Sequence, residues 1–480
     1  MTPTLLICNR GEIAVRIART AKEMGIRTVA VYSDADAGAM HVSVCDRAVR
    51  IGPPEPKASY LNVSALSAAA GATGATMVHP GYGFLSENAD FAEAVIAAGL
   101  VWVGPSPNAM RALGGKLSAR AVATDLGIPV LPGAKLWLDG GLGGPPSPSD
   151  LGFPLLVKAS AGGGGRGMRR VDTPGELDDA IAAARAEAVA AFGDGAVYVE
   201  RLLTAPRHVE VQVFGDGKGG VVILGERDCS IQRRHQKLIE EAPFTQLGRF
   251  REELHSRAQR LAASVNYASA GTVEFLWDGE QAWFLEMNTR LQVEHPVTEL
   301  VFGLDIVRAQ LELVLAGSMP TVPEPTGHAI ECRIVAEDPA QGYLPAPGRL
   351  TRVRWPCGPG VRVDAGVREG DEVSSHYDAL LAKIIVHAPT REAARQRMIR
   401  ALDETEILGV PTTAERLGDV LRSPGFTSGE FSTGTLETIP ARPLDPAWVL
   451  AAAALDQAVD TGTQRTTVSA TPWQSLGSWP

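Results

Sequence analysis

The feature that most constrains the fold is the alternation of strand and helix patterns near the start of the chain. The segment TLLICNRGEIAVRIARTAKEMGIRTVAVYS begins with an apolar run at residues 5–8, and Gly11 then opens a stretch with apolar residues at helical spacing. Gly25 ends that stretch, and the β-rich run RTVAVYS follows. Strand, turn, helix and strand in this order are typical of a sheet covered by helices. The sequence therefore predicts an open α/β sheet over roughly the first 110 residues.

The pattern changes twice further along the chain. Residues 113–325 indicate antiparallel strands with helices, and a Gly/Pro-rich loop at 139–150 is expected to be exposed. Residues 328–440 form a third, mostly β region with a helix near 390–402. The tail, 441–480, begins as an Ala-rich helix and then becomes rich in Thr and Ser, which favours a loose segment.

Composition excludes several classes of protein. No run of 18 apolar residues occurs, so no membrane span is expected. A net charge of −10 gives no electrostatic reason to expect nucleic acid. The five cysteines are scattered and form no CxxC pair, which argues against a disulfide framework or a zinc site and favours a reducing, cytoplasmic location.

A glycine-rich loop lies in the segment PLLVKASAGGGGRGMRRV, residues 154–171. It contains the pattern GxGxxG, but MRRV after it reads as a strand, whereas a dinucleotide fingerprint needs a helix there. A hairpin with a mobile glycine tip could instead fold over nucleotide phosphates and exclude water, with Lys158 adding a cation. A merely flexible turn is the alternative.

Two acids of one predicted hairpin, Glu274 and Glu286, raise the question of a metal site. A two-residue turn at 278–279 would place them on opposite faces, whereas a loop of about five residues would place them directly opposite each other. Facing carboxylates repel unless a cation lies between them, and with the amide of Asn288 they would suit Mg²⁺. A solvated polar face is the alternative.

Polar residues continue at every second position after this pair. In EMNTRLQVEH, Glu286 and Asn288 are followed by Arg290, Gln292 and Glu294, which predicts one polar face along an extended chain. A structural ladder of ion pairs would give the same pattern.

These features together resemble the ATP-grasp enzymes, and more specifically the biotin carboxylases. The resemblance covers roughly residues 3–440 and rests on NRGEIAVRI, HPGYGFLSEN, KASAGGGGRGM, PRHVEVQV, ERDCSIQRRHQKLIEEAP, FLEMNTRLQVEHPVTE, ECRIVAEDP and YDALLAKI. It implies an α/β and α+β protein with a Rossmann-like pre-ATP-grasp domain at 1–112. The resemblance further implies an ATP-grasp domain at 113–325 with a mobile lid at about 131–203. After it, a mostly β C-terminal domain is implied at 328–440.

The resemblance also implies roles for individual residues. ATP would be bound by Lys116, Lys158, Gly163, Gly164, Gly165, Met168, Glu200, Leu202, His208, Gln232 and His235. Mg²⁺ or Mn²⁺ would be bound by Glu274, Glu286 and Asn288. Bicarbonate would be held by Lys237, Arg290, Gln292 and Val293, with Glu294 as the general base and Arg333 beside the biotin ureido group.

The implied reaction is the ATP- and bicarbonate-dependent carboxylation of biotin at N1 through carboxyphosphate, the first half-reaction of an acyl-CoA carboxylase. The implied partners are a biotin carboxyl carrier protein or domain and a carboxyltransferase subunit. No MKM-type biotinylation motif occurs, so the carrier is expected on another chain or in a region not present in this one. Another bicarbonate-using ATP-grasp ligase and a non-catalytic ATP-binding scaffold are the alternatives.

The first predicted helix carries four charged residues at spacings of three and four, namely Glu12, Arg16, Arg19 and Glu23. Most such sets are solvated ion pairs. The resemblance implies that this helix contributes to a homodimer contact.

Overall fold

The computed structural model describes residues 2–136, 148–159, 168–192 and 195–440, together with 447, 450, 451, 453 and 454. Two predicted features, most of the exposed loop at 139–150 and the glycine tip at 160–167, therefore lie outside the described residues. Most of the tail does as well. No helix in the described part of the chain has both the length and the apolar character that a membrane crossing requires.

The first part of the chain is a parallel sheet of five strands with helices between them. The strands are β1 (Thr4–Ile7), β2 (Arg27–Ser33), β3 (Arg47–Gly52), β4 (Met77–His79) and β5 (Val101–Trp102). The helices are α1 (Gly11–Glu23), α2 (Met40–Val44), α3 (Val63–Thr73) and α4 (Ala89–Ala97). The strand order is β3-β2-β1-β4-β5, and every pairing is parallel, which confirms the predicted open α/β sheet.

The middle part combines antiparallel strands with helices. Its strands are β6 (Gly133–Leu136), β7 (Leu155–Ala159), β8 (Arg169–Val171), β9 (Val197–Arg201), β10 (Arg207–Asp216), β11 (Val221–Arg233), β12 (Gln236–Ala242), β13 (Ala268–Trp277) and β14 (Ala282–Asn288). Its helices are α5 (Pro107–Leu113), α6 (Lys116–Asp125), α7 (Leu177–Phe192), α8 (Phe250–Ser264), α9 (His295–Phe302) and α10 (Ile306–Ala316). A small sheet in the order β6-β9-β7-β8 contains β7 and β8 as antiparallel neighbours, so a strand does follow the glycine loop.

The last part of the described chain is mostly β, with one long helix at the predicted place. Its strands are β15 (His328–Val335), β16 (Glu337–Asp338), β17 (Leu344–Pro345), β18 (Gly348–Arg349), β19 (Arg352–Arg354), β20 (Val361–Ala365), β21 (Glu372–Val373), β22 (Leu380–Ala388) and β23 (Glu406–Leu408). Its helices are α11 (Arg391–Asp403), α12 (Ala414–Arg422), α13 (Pro424–Ser428) and α14 (Thr435–Thr438).

One sheet of eight strands joins the middle and last parts of the chain. Its order is β14-β13-β10-β11-β12-β15-β22-β20, so β12 pairs with β15 across the boundary that the sequence pattern suggested. The polar residues of both parts can therefore lie on one continuous surface.

A shared apolar core fixes the first part against this sheet. One buried apolar cluster contains Leu5 of β1 and Ile17 of α1. It also contains Phe214 of β10, Ile306 of α10, and Leu291, which lies between β14 and α9. The burial of Leu291 anchors the segment between β14 and α9. Because Leu291 is held in this core, the positions of its neighbours Arg290 and Gln292 are fixed as well.

Candidate active site

The polar alternation over residues 286–294 converges on one place, but not as a single strand face. Strand β14 ends at Asn288, and the chain then turns, so that Glu294 is the N-cap residue of α9. The prediction of one extended face is therefore wrong beyond Asn288. The tertiary fold, rather than the strand periodicity, brings Arg290, Gln292 and Glu294 to the site.

The hairpin that carries the two predicted metal ligands pairs them directly. Glu274 lies opposite Glu286, while Trp277 lies opposite Ala282. The loop thus has four residues, and a β-bulge at Leu285 supplies the extra step that brings Glu286 into line. The two-residue turn is therefore wrong, and the facing arrangement expected from a loop of about five residues is confirmed, with four loop residues and one bulge producing it.

Glu274 is the most heavily contacted carboxylate of the site. Its Oε1 accepts hydrogen bonds from Lys237 Nζ at 2.8 Å, Asn288 Nδ2 at 2.7 Å and Gln292 Nε2 at 2.8 Å. Its Oε2 lies 2.9 Å from His208 Nε2. Burial raises the pKa of Glu274, but Lys237 and His208 outweigh burial and hold the pKa below its ordinary value. Glu274 is therefore an anion at neutral pH.

Lys237 holds three buried carboxylates at once. Its Nζ donates to Glu210 at 2.5 Å, Glu274 at 2.8 Å and Glu294 at 2.6 Å. The other oxygen of Glu294 accepts from Arg333 Nη2 at 2.9 Å. Although burial raises the pKa of Glu294, Lys237 and Arg333 lower it well below its ordinary value. Glu294 is thus an ionised acceptor between two cations.

Arg290 lies at the edge of this cluster. Its Nε donates to Glu87 Oε2 at 3.0 Å, and its Nη2 donates to Asn288 Oδ1 at 2.8 Å. The second oxygen of Glu87 accepts the backbone N–H of Thr289 at 3.1 Å. Glu87, which precedes α4, therefore links the first part of the chain to the predicted anion-binding arginine.

The carboxylate pair fits a divalent cation. Burial and the facing charge of Glu274 raise the pKa of Glu286, and Lys116 opposes this only in part. A hard cation beside the two acids would remove that repulsion, and the amide of Asn288 offers a further oxygen. The donor set is therefore the chemistry expected for Mg²⁺ or Mn²⁺.

The residues predicted on the nucleotide side come from α6, β7, β9, β10 and the hairpin of β11 and β12. His208, on β10, is the one that contacts Glu274. Lys158 forms a buried ion pair with Glu200, and although burial lowers the pKa of Lys158, Glu200 raises it above its ordinary value. The backbone N–H of Leu202 donates to Pro154 at 3.0 Å. Lys116 is half-buried beside them, whereas Met168 lies at the edge of the described chain and Gly163, Gly164 and Gly165 lie outside it.

The hairpin that carries His235 has an unusual turn. Arg233 pairs with Gln236, and both residues between them have positive φ, +46° at Arg234 and +67° at His235. Left-handed conformations at two consecutive non-glycine positions cost free energy, and such strain concentrates at functional sites. The same hairpin places Gln232 directly opposite Lys237.

Two buried residues of this cluster were not singled out from the sequence. Glu210 accepts from Lys237 and, at 2.5 Å, from Arg227 Nε. The guanidinium of Arg227 also donates to Gln292 Oε1 at 2.6 Å and to Gln212 Oε1 at 2.8 Å. The signal was present, because Glu210 and Gln212 extend the same two-residue polar periodicity along β10 that marks residues 286–288 on β14.

A cavity of about 530 Å³ opens beside these cations. Its lining includes the cations Lys237, Arg290 and Arg333 and the aromatic residues Tyr82 and Tyr377. Val293 also faces it, and its carbonyl accepts from Lys383 Nζ at 2.8 Å. The cavity can therefore admit an anion and a flat polar molecule against the same three cations.

Three family models together match most of the chain. Residues 1–110 match the description "Biotin carboxylase, N-terminal domain", and residues 331–438 match "Biotin carboxylase C-terminal domain". Residues 115–321 match "Carbamoyl-phosphate synthase L chain, ATP binding domain".

Individual relatives are similar over nearly the same length. A biotin carboxylase of Nostoc sp. is 46% identical over 438 residues, which is 90% of this chain and 98% of that protein. The propionyl-CoA carboxylase alpha chain of Ruegeria pomeroyi is 46% identical over 455 residues, 89% of this chain and 67% of that one. The biotin carboxylase domain dimer of Hydrogenobacter thermophilus 2-oxoglutarate carboxylase, solved with MgADP, ADP and bicarbonate, matches with a TM-score of 0.86 and 40% identity, over 92% of this chain and all of that one.

Proposed function

The chain belongs to the biotin carboxylase family, and on that premise we propose how its own residues carry out the reaction. The enzyme uses ATP and bicarbonate to carboxylate biotin, as the first half-reaction of an acyl-CoA carboxylase. The observation that carries the assignment of roles is the position of Glu294. It is a buried, ionised carboxylate that contacts both Lys237 and Arg333, beside a cavity that those two cations line.

Bicarbonate binds among Lys237, Arg290, Gln292 and Val293. Bicarbonate is a weak nucleophile until it loses its proton, and Glu294 accepts that proton. A bound anion competes with Glu294 for the ammonium of Lys237, which raises the pKa of Glu294 from its depressed value and makes it a better base. The same cations stabilise the dianionic nucleophile as it forms.

The nucleophile attacks the γ-phosphorus of ATP, and ADP leaves. Lys116 and Lys158 neutralise phosphate charge, while Glu200, Leu202, His208, Gln232 and His235 hold the rest of the nucleotide. We also assign nucleotide binding to Met168 and to the glycines 163–165, and water must be excluded because carboxyphosphate hydrolyses. Glu274, Glu286 and Asn288 hold the divalent cation, which supplies charge neutralisation at the phosphates.

Carboxyphosphate then divides into CO₂ and phosphate within the same cavity. The phosphate removes the proton from N1 of biotin, and N1 forms the new bond to CO₂. Negative charge develops on the ureido oxygen as the proton leaves, and Arg333 stabilises that charge. Arg333 can release Glu294 at this stage, because Glu294 has become neutral by accepting the bicarbonate proton.

The biotin is carried by a carrier protein or domain, and a carboxyltransferase subunit passes the carboxyl group to an acyl-CoA. The relatedness to a propionyl-CoA carboxylase alpha chain supports both partners. Five free cysteines, four of them buried, support a reducing compartment, and we place the enzyme in the cytoplasm.

The domain dimer of the Hydrogenobacter relative supports a homodimer, and we place the dimer contact at α1. Arg19 and Glu23 are exposed on this helix. Glu12 and Arg16 are instead buried, which corrects the expectation of solvated pairs for these two residues. Arg16 Nη2 donates to Glu299 and Asp305, each at 2.8 Å.

Phosphate release from ATP by the purified chain tests the proposal. We expect release that requires both bicarbonate and Mg²⁺ and that rises when free biotin is added. Release that needs bicarbonate but ignores biotin would favour another ATP-grasp ligase. ATP binding without any release would favour a non-catalytic scaffold.

A further inference from the structure

The face of the eight-stranded sheet behind Glu294 carries two buried acids that the proposed reaction does not use. Glu240 of β12 and Glu331 of β15 are directly opposite each other in antiparallel register, and neither has any exposed surface. Residues paired in this way point to the same face, with Cβ atoms about 5 Å apart. Ile385 of β22 lies directly opposite Glu331, and Ala329 lies two positions before Glu331 on the same face of β15, so apolar side chains adjoin the pair.

Three of the four carboxyl oxygens of this pair lack a hydrogen-bond partner among the described residues. Both oxygens of Glu331 and the Oε2 of Glu240 are unpartnered. The remaining oxygen, Glu240 Oε1, accepts from Arg333 Nε at 2.6 Å. A buried carboxylate that receives no hydrogen bond is strongly disfavoured, so an ionised Glu331 does not suit this environment.

No cation of the described chain forms an ion pair that would compensate a negative charge on Glu331. Lys383 is the neighbouring ammonium, but its Nζ is directed to Val293 O at 2.8 Å and to Glu12 at 3.2 Å. The charged or titratable groups on the elements packed against this face include Glu12, Arg16, Arg227, Lys237, Glu294, His295, Glu299, Arg333, Arg362, Asp364, Lys383 and His387. Within the described chain, none of these cations comes within 4 Å of a Glu331 oxygen to form an ion pair.

We propose that Glu331 is a neutral carboxylic acid whose O–H donates to Glu240 Oε2, so that the two residues share one proton and together position Arg333. This single O–H···O bond engages Glu240 Oε2 and one oxygen of Glu331, which are two of the three unpartnered oxygens. Glu240 then remains a singly charged anion, fixed at one oxygen by Glu331 and at the other by Arg333. Both residues are positioning residues, because they act on the reaction only through Arg333.

The direction of the pKa shifts agrees with this geometry. Burial raises the pKa of Glu331 well above its ordinary value, and Lys383 opposes burial only in part. Burial also raises the pKa of Glu240, to about 7, even though Arg333 lowers it. Both residues therefore tend to retain a proton, and a pair of facing carboxyl groups that cannot both ionise is the expected result.

The pair has a consequence for catalysis, which rests on the proposed function. Arg333 Nη2 contacts both Glu240 Oε1, at 2.5 Å, and Glu294 Oε2, at 2.9 Å. Loss of the shared proton would place a second buried negative charge behind Arg333 and draw the guanidinium away from Glu294 and from the cavity. Activity should therefore fall on the alkaline side as the pair loses its proton.

Infrared difference spectroscopy of the resting enzyme tests the shared proton without any turnover. We expect a carboxylic-acid C=O band in the wild type at pH 7 that is absent from Glu331→Gln and shifted in frequency in Glu240→Gln. The proposal is overturned if Glu331→Gln removes a carboxylate band instead, or if Glu240→Gln leaves the acid band unshifted. Because no substrate is present, this result does not depend on the proposed function.

Kinetics test the positioning role. Glu331→Ala removes the donor to Glu240, and we expect kcat to fall about tenfold or more because small displacements of a positioned group are costly. Glu331→Gln keeps a donor, so it should restore most of kcat and abolish the alkaline decline. A Gln variant as slow as the Ala variant would contradict the proposal, as would an unchanged alkaline decline.

A matched control lies on the same strand. Cys332 is buried on the opposite face of β15, and Cys332→Ala should leave the pH profile of kcat unchanged.

Thermal unfolding of Glu331→Gln gives a second test of the raised pKa. Because the pKa of Glu331 is raised in the folded state, its burial destabilises the protein increasingly as pH rises above about 4.5. The Tm of Glu331→Gln relative to wild type should therefore increase with pH, and a difference that decreases would overturn the proposal.

Discussion

The two faces of the sheet formed by β12, β15 and β22 differ completely in chemistry, although they share the same strands. One face buries Ile239, Cys332 and Ile384 against Met398 of α11 and Leu417 of α12. The other face buries acids and cations around the site. The residues that show the alternation on this second face are Glu240, Glu331, Arg333 and Lys383.

The difference shows which face supplies stability and which supplies chemistry. Burial of apolar surface contributes roughly 25 cal/mol per Å² and requires no specific partner. Buried charges lose hydration, and their mutual attraction offsets this loss only where the geometry is good. Lys237 with its three carboxylates is therefore poorly explained as a stabilising device and well explained as an arrangement for binding an anion and moving a proton.

The largest effect is expected from neutralising the base on the polar face. Glu294→Gln should lower kcat about 10²- to 10⁴-fold, because proton acceptance by a positioned base contributes that much. ATP binding, measured by calorimetry, should persist. Glu226→Gln is the matched control. Glu226 is a buried acid that lies away from the site and accepts from Arg251 Nε at 2.9 Å. Equal turnover by Glu294→Gln and wild type would remove Glu294 from the role of base.

A change on the apolar face should lower the stability of the protein without lowering its kcat. Met398→Ala leaves a cavity in a fully buried position, and the free energy of unfolding should fall by about 2–5 kcal/mol. The kcat of the folded fraction should not change. Denaturant unfolding and active-site titration measure the two quantities, and a fall in kcat beyond the unfolded fraction would show that the faces are coupled.

The metal-binding role of Glu286 predicts a smaller change. Glu286→Gln removes one of two facing anions, so the Mg²⁺ concentration for half-maximal rate should rise at least about tenfold. Glu280→Gln, in the loop of the same hairpin, is the exposed control. An unchanged Mg²⁺ dependence in Glu286→Gln would exclude this residue from the metal site.

The smallest expected effect is a difference between variants of the two faces in how Tm depends on pH. The folded pKa of Glu274 lies below its ordinary value of 4.5, so the stability it contributes is present above that pH and is lost as pH falls through the folded pKa. Glu274→Gln should therefore flatten the decline of Tm below about pH 4.5. Met398→Ala should lower Tm by a similar amount at each pH, and an altered slope in that variant would contradict the separation.

Much of the fold followed from local patterns in the sequence. The parallel sheet, the strand after the glycine loop and the helix near residues 390–402 were all predicted, because each depends on hydrophobic periodicity within a short segment. The facing arrangement of Glu274 and Glu286 was left open, since a four-residue loop and a bulge at Leu285 decide it. No local signal reports a one-residue bulge.

The sequence by itself determined the inventory of the site, since the polar residues at 286–294 and their resemblance to biotin carboxylases identified the chemistry. Only the tertiary structure decided which residues each of these side chains contacts. Glu210 and Arg227 join the cluster because β10 pairs with β13 and β11 pairs with β10. Glu331 faces Glu240 because β12 pairs with β15 across two parts of the chain. Periodicity fixes which face a side chain points to, whereas its partner across the sheet depends on strand pairing between residues up to about a hundred positions apart.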